Sequence, residues 1–415
     1  MPQAVEAFIE EARAWLDAAA ERAPAASKGW GEGEFSVAVF PVRTPDEERA
    51  FLDTLAAWQQ RKAAEGYHAI TMPTEFGGLG LSDDHALAFA RIEAEYDVPG
   101  RHELFSVTTG LVAPTVAAVG TEGQKARFVE SFLTASSWCC QLFSEPGAGS
   151  DLASLACRAD RDGDRWILNG QKVWSSGAHL SEWGILIART DPTVAKHRGL
   201  TAFLVPLDSD GVDVRPIKQI SGSESFCEVF LSDVRIDDDL RLGEIGSGWS
   251  VALTTLAHER ANSSRRGATH RPGGSAQQVL DTARAFGGTE DLVLRQRLAQ
   301  VVAHERIRLL STARVAGARR AGASPGPEGS IGKLFWVNGL APRGDVVASV
   351  LGPRLVADTG EWGSYGWGEH VLGAPGYRIA GGSDEVQRNI IGERVLGLPG
   401  EPRVDKDVPW NEIPR

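Results

Sequence analysis

Apolar positions in the first 20 residues recur at helical spacing, with Val5, Phe8, Ile9, Ala12, Trp15, Leu16 and Ala19 on one face. The same period predicts helices over 45–65 and 84–96, and over 107–133 with a break at Gly120. PTEFGGLGLS, 73–82, is rich in turn residues and reads as a connector. The pattern changes near Ser137. Short runs of β-branched and aromatic residues follow: SWCCQLFS, RWIL, QKVWSS, WGILIAR, LTAFLVPL, VDVR and FCEVFLS. Asp162-Gly163-Asp164 and Asn169-Gly170 read as turns between them. Roughly seven short strands with no helical pattern between them predict a small antiparallel barrel or sandwich. Helical periodicity returns after Gly248, over 249–262, 276–286, 291–320, 331–351 and 383–395. Residues 321–330 read as a loop between helices, and 352–382 as a long Gly-rich loop of the kind that often carries function.

A chain of 415 residues exceeds what one core usually serves, so two or three packed units are expected. The net charge of −12 argues against nucleic-acid binding, which needs a basic footprint, and fits simple solubility. None of the four cysteines, Cys139, Cys140, Cys157 and Cys227, has metal-ligand or redox-pair spacing. They read as small buried residues of a reducing compartment, and no metal site is predicted. The N-terminus lacks a basic segment followed by an apolar one, and no apolar run is long enough to span a membrane. A cytoplasmic protein is the expectation.

Three segments carry candidate chemistry. In the first, Leu142 to Asp151, a strand runs into a glycine turn whose backbone N–H groups can approach a ligand closely. An ordinary Pro-Gly turn has the same appearance. The second, Gln171 to Gly177, sets Trp174 beside Ser175 and Ser176, an aromatic plane next to hydroxyls that suits a planar cofactor. A buried strand tryptophan is the plainer reading. The third, Ile379 to Asn389, places two glycines before a capped helix N-terminus, where phosphate oxygens bind readily and where a plain cap also occurs. Lys196-His197-Arg198 is a basic turn, read as a solvated loop in preference to a phosphate contact.

In wording, order and spacing these segments resemble the acyl-CoA dehydrogenases. FSEPGAGSDLASL, NGQKVWSSGAH, TTLAHER and AGGSDEVQRNIIGERVLGLP carry the resemblance, which runs from about residue 45 to residue 400. It looks most like the bacterial branch that handles diverse, sometimes bulky, acyl groups. The resemblance implies an α+β multidomain fold: an N-terminal α-helical domain (1–136), a middle antiparallel β-barrel (137–243), a C-terminal four-helix bundle (244–400) and a tail (401–415). It implies FAD between barrel and bundle, an acyl-CoA substrate, an electron-transfer flavoprotein as acceptor, and a homo-oligomer, dimer or tetramer, with a hetero-oligomer as the alternative. Leu142, Phe143, Ser144 and Gly149 would line the flavin. Trp174 would pack on its ring system, with Ser175 and Ser176 bonding near N5 and O4. Gly381, Gly382, Ser383 and Glu385 would meet its diphosphate and ribose, and Ser150, Arg260 and Gly381 would contact the substrate.

Dehydrogenation at Cα–Cβ needs a base, a donor to the thioester oxygen and a hydride acceptor. Many members place a glutamate where this chain has Gly381. Others place it on a helix just before an arginine, which here is Glu259 before Arg260. Glu259 is therefore the expected base, with His258 a weaker candidate and Gly381 N–H a donor to the thioester carbonyl. An Arg-x-x-Phe-Gly segment common in the family is missing from 264–274. The helix after Gly100 carries His102, Ser106 and Gly110 on one face, read either as an acyl-chamber wall or as close helix packing. A non-catalytic or FAD-holding subunit, and a flavin oxidase or monooxygenase on the same fold, remain alternatives.

Overall fold

A computed structural model describes the chain outside residues 1–3, 24–29, 33–34, 267–272, 321–325, 404 and 414–415, and outside the side chains of 260, 261, 263–266, 319 and 320. The periodic face of α1 (Val5–Ala19) buries Phe8, Ala12, Leu16 and Ala19. Capping boxes at Thr44–Glu47 and Thr121–Gln124 start α2 (Pro45–Ala63) and α6 (Glu122–Leu133). Between them lie α3 (Asp83–Glu93), α4 (Glu103–Val107) and α5 (Ala113–Val119), with a π-helical turn, Thr108–Val112, joining the last two. The predicted break falls at Gly120, where a Cβ would stand 2.7 Å from the Val116 carbonyl oxygen.

The middle part is one sheet built from β1 (Cys139–Leu142), β2 (Arg158–Asp162), β3 (Arg165–Ser176), β4 (Trp183–Arg189), β5 (Leu200–Pro206), β6 (Val212–Ile217), β7 (Phe226–Asp237) and β8 (Arg241–Leu242). Its order is β6-β7-β3-β2-β4-β5-β8, with β1 paired to β4. Most pairs are antiparallel, but β1 and β2 run parallel to β4, so the sheet is mixed. Asp162-Gly163-Asp164 is the predicted hairpin turn, with Gly163 at φ +65°. Asn169-Gly170 is not a turn: β3 runs straight through it, and the register slips there against β7. A Cβ at Gly170 would meet Cys157 at 2.8 Å, so the glycine serves close packing. β2 escaped the sequence reading because only Ala159 of its five residues is buried.

The C-terminal part holds α7 (Gly248–Arg266), α8 (Ala276–Ala285), α9 (Leu292–Arg320), α10 (Gly329–Asn338), α11 (Leu340–Leu351), α12 (Trp367–Tyr377) and α13 (Asp384–Ile390), the last followed by a π-helical turn, Ile391–Val395. The helix expected over 331–351 divides at Gly339, whose Cβ would clash with the His304 ring at 2.7 Å. The expected loop 352–382 contains α12, and Trp367 at its start is fully buried against Val279, Ala283 and Val347. Glycines hid this helix. A Cβ at Gly373 would stand 2.9 Å from Val39, and one at Gly376 would stand 2.6 Å from the Phe40 ring, so both mark close packing rather than a loop.

Two features cross the expected domain limits. Val37 and Val39, far upstream, pack into the cores of the C-terminal helices. α7 touches all three parts: Thr255 lies 3.2 Å from Thr115 of α5, and Gly248 leaves no room for a Cβ against the Leu200–Thr201 backbone. The helical first part and the sheet share a continuous core, from Val112 and Phe128 to Leu186 and Val205. Among the described residues no helix is long and apolar enough to cross a membrane.

Candidate functional site

The turn after β1 is held by its own acidic residues. Glu145 accepts hydrogen bonds from Ala156 N (2.7 Å) and Cys157 N (2.9 Å) and pairs with Lys172 at 2.7 Å. Lys172 is fully buried and also donates to the carbonyls of Phe143 and Ile187. A buried ammonium needs such a set of acceptors to offset its desolvation. Asp151 is gripped by Lys196 at 2.7 Å and by Ser154 at 2.5 Å. Lys196, 2% exposed, also pairs with Asp405. The basic turn is therefore a buried tether at Lys196, not a solvated loop. His197 packs edge-on against Trp249.

Residues 405–413 lie on the sheet as a strap. Trp410 N bonds Val194 O at 2.9 Å, Trp410 Nε1 bonds Ser154 O at 3.1 Å, and the Arg189 guanidinium covers the Trp410 ring at 4.3 Å. These contacts clamp the turn from outside. Gly147, Gly149 and Ser150 stay exposed, and a Cβ on either glycine would meet open space.

Val173 N bonds Ser144 O at 2.9 Å, which brings the first two motifs side by side. Leu142 and Phe143 are buried and Ser144 is half-buried, so of these three only Ser144 shows its side chain partly to solvent. At the end of β3, Trp174 adopts φ +61° where the register shifts between Lys172 and Ser175. The irregularity turns its indole outward, 58% exposed, with an edge against Phe226 at 5.9 Å. A large aromatic held in a left-handed conformation and left open to solvent is costly unless something covers it. Ser176 is half-buried, whereas the Ser175 hydroxyl is enclosed by protein and has no hydrogen-bond partner there.

Behind this strand runs a buried polar chain. His179 Nδ1 lies 3.1 Å from Cys227 Sγ, its Nε2 lies 3.7 Å from Glu48, and Glu48 Oε1 lies 2.8 Å from His102 Nε2. Hydrogen bonding to Cys227 and Glu48 raises His179 to about 9. Burial pushes Glu48 up, but His102 and His179 outweigh it and bring Glu48 down to about 2. His102 also caps α4, and Ser106 donates to the His102 carbonyl. Gly110 packs on α7, where a Cβ would collide with Asn262 Nδ2. At Gly110 this face packs closely on α7.

Across from the strand ends, Gly381 (φ +66°) and Gly382 (φ +85°) form a left-handed turn that glycine adopts without strain. Ser383 caps α13 through its bond from Val386 N, and its Oγ lies 3.4 Å from Ser150 Oγ. The first and third motifs meet there, though 233 residues separate the two serines. Glu385 is exposed and pairs with Arg388 at 3.3 Å. A Cβ built on Gly381 would stand 3.5 Å from Glu259 Oε1. The carboxylate from α7 and the glycine turn therefore face one another. The Arg260 side chain lies outside the described residues, as does much of the 264–274 segment.

An exposed indole, an open glycine turn and a second glycine turn that meets the first at Ser150 and Ser383 are thus brought into one region. Two surface clefts, of about 300 and 490 Å³, lie elsewhere, beside Glu182. Sequence reasoning missed Lys333 and Gln387, whose side chains hold the second turn, and Asp405. Lys333 and Asp405 act on residues distant in the chain, Gly382 and Lys196, whereas Gln387 bonds back to the turn just before its own helix.

Family models for the N-terminal, middle and C-terminal domains of acyl-CoA dehydrogenases match residues 4–136, 140–234 and 246–396. The chain is 39% identical over 401 residues to acyl-CoA dehydrogenase IpdE1 of Mycobacterium tuberculosis, covering 96% of this chain and 99% of the relative. It is 32% identical over 286 residues to the human mitochondrial short-chain specific acyl-CoA dehydrogenase, covering 66% and 67% of the two chains. A chain of the solved ChsE4–ChsE5 complex from Mycobacterium tuberculosis superimposes with a TM-score of 0.70 at 27% identity, covering 96% of this chain and 98% of that one.

Proposed function

The chain belongs to the acyl-CoA dehydrogenase family, and from that premise we propose that it binds FAD and converts an acyl-CoA thioester to its 2-enoyl-CoA, with electrons leaving to an electron-transfer flavoprotein. The observation that carries the reading is the approach of Glu259 to position 381, with 3.5 Å between Oε1 and a Cβ built there. One base can thus be delivered to the same place from either of two chain positions. In this reading Glu259 takes the Cα proton as a general base. The Gly381 N–H donates to the thioester carbonyl and stabilises negative charge developing on its oxygen. A bound FAD would supply the two-electron acceptor for the hydride leaving Cβ.

Trp174 would cover the ring system, with Ser144 and Ser176 at its polar edge and Leu142 and Phe143 backing it. Ser175, being enclosed, contributes to that wall rather than to the edge. Gly149 and the turn Gly381 to Glu385 would hold the diphosphate and ribose. Ser150 and Arg260 are the proposed substrate contacts. The solved ChsE4–ChsE5 complex supports an oligomer; a homo-oligomer, dimer or tetramer, is the form the family resemblance implies, and a hetero-oligomer is the form that complex points to.

Glu259→Gln tests the assignment because it keeps the size of the side chain and removes the base. A panel of straight-chain, branched and ring-bearing acyl-CoAs should bleach the flavin of the wild type and identify its best thioester. The variant should keep its flavin spectrum and lose roughly 10²- to 10⁴-fold in bleaching rate. A wild-type rate in the variant rules out Glu259 as the base.

A further inference from the structure

Lys333 of α10 is half-buried, and its Nζ donates to Gly382 O at 2.7 Å. Gln387 of α13 donates to Gly381 O at 3.0 Å and Gly382 O at 3.3 Å. The two side chains therefore hold both carbonyls of the turn that faces Glu259. The turn's left-handed backbone permits glycine, but these donors fix where it sits. Among the described residues, the charged groups facing Lys333 are Asp384 and Glu385 of α13, Arg378 before it, and Glu259 of α7. Asp384 is already paired with Arg378 at 2.7 Å. From α9, His304 stacks on the neighbouring Phe335, and Glu305 is paired with Arg308 and Arg343. Burial lowers the Lys333 ammonium from its ordinary value while the three carboxylates oppose that fall.

We propose that Lys333 is a positioning residue for proton abstraction, fixing the Gly381–Gly382 turn opposite Glu259 and placing a positive charge on the turn that faces that carboxylate. The inference rests on Glu259 being the base. The tether and the charge have separable consequences. Losing the tether lets the turn drift, and its N–H no longer meets the thioester oxygen squarely. Losing the charge makes Glu259 easier to protonate, because a nearby cation favours the ionised carboxylate.

Lys333→Gln removes the charge and keeps a donor one bond shorter, Lys333→Met removes both, and Lys333→Arg keeps both. Single-turnover bleaching by the best thioester from the panel, followed from pH 5 to 9, reads each effect. Lys333→Gln should move the acid limb of the profile up by about one pH unit, a tenfold slower reaction on that side, and lower the plateau less than Lys333→Met does. Lys333→Met should show the same shift with a plateau lowered about tenfold or more, and Lys333→Arg should restore the acid limb. A purely structural role would change thermal stability without moving the limb. If Lys333→Met fails to fold, the Gln and Arg variants decide the matter. Glu259→Gln run alongside separates two failures. A wild-type rate in it means the base is elsewhere, whereas an inert Glu259→Gln beside an unshifted acid limb in Lys333→Gln overturns the role of Lys333 alone.

Discussion

Glu259 and Gly381 face one another, with 3.5 Å between Oε1 and a Cβ built at 381. A glutamate at 381 would start from the left-handed backbone there, φ +66°, at a cost of about 1 kcal/mol. The pair Glu259→Ala with Gly381→Glu should therefore recover a measurable part of the bleaching rate lost by Glu259→Ala alone. A double variant no faster than the single one would show that the gap does not hold the reacting carbon. At this scale the sequence was partly legible. Glu259 could be chosen because a helical Glu-Arg pair has a known counterpart. Glu145 and Asp151 belonged to a conspicuous motif, yet their work is structural, done with Lys172 and Lys196, which lie 27 and 45 residues away. No local pattern announces a partner at that distance.

Elements rather than residues decide how Trp174 is presented. Rings link it to the last part of the chain: Trp174 meets Phe226 at 5.9 Å, Phe226 meets Phe40 at 5.6 Å, and Phe40 stacks on Tyr377 of α12 at 4.9 Å. Gly376 lets α12 approach Phe40 this closely. Gly376→Ala should push the Phe40 ring aside and cost about 1–3 kcal/mol, read as a lower urea midpoint, with Trp174 fluorescence altered in the folded state. An unchanged midpoint would mean that the ring relaxes freely. The regular helices and most strands were legible because period and caps agree there, as at Thr44–Glu47 and Thr121–Gln124. α12 and β2 were not, since the first uses glycine for contact and the second buries only Ala159.

On the scale of the molecule, the parts are joined by charge as well as by apolar cores. Glu48 on α2 meets His102 before α4 and His179 after β3. His179 is raised from 6.5 to about 9, so its contribution is complete below about 6.5 and is lost as pH rises through about 9. Glu48 is lowered from 4.5 to about 2, so its contribution is complete above about 4.5 and is lost as pH falls through about 2. Melting temperatures between pH 5 and 9.5 should fall on the alkaline side in the wild type, and His179→Asn should flatten that fall. An equal slope in both proteins would remove this network from the account. The order helices, sheet, helices was readable along the chain. The crossing of Val37 and Val39 into the C-terminal cores was not.

The contact between Ser150 and Ser383 also has a bearing on synthesis. A chain still on the ribosome can complete its first two parts, which share one core, well before the glycines at 381 and 382 emerge. Until those last segments arrive, the Gly381–Gly382 turn does not stand opposite Glu259 and Ser383 does not meet Ser150. With the flavin site as proposed, stalled or prematurely ended products should therefore lack bound pigment even when largely folded, and pigment gained during translation would report that the final turn has docked.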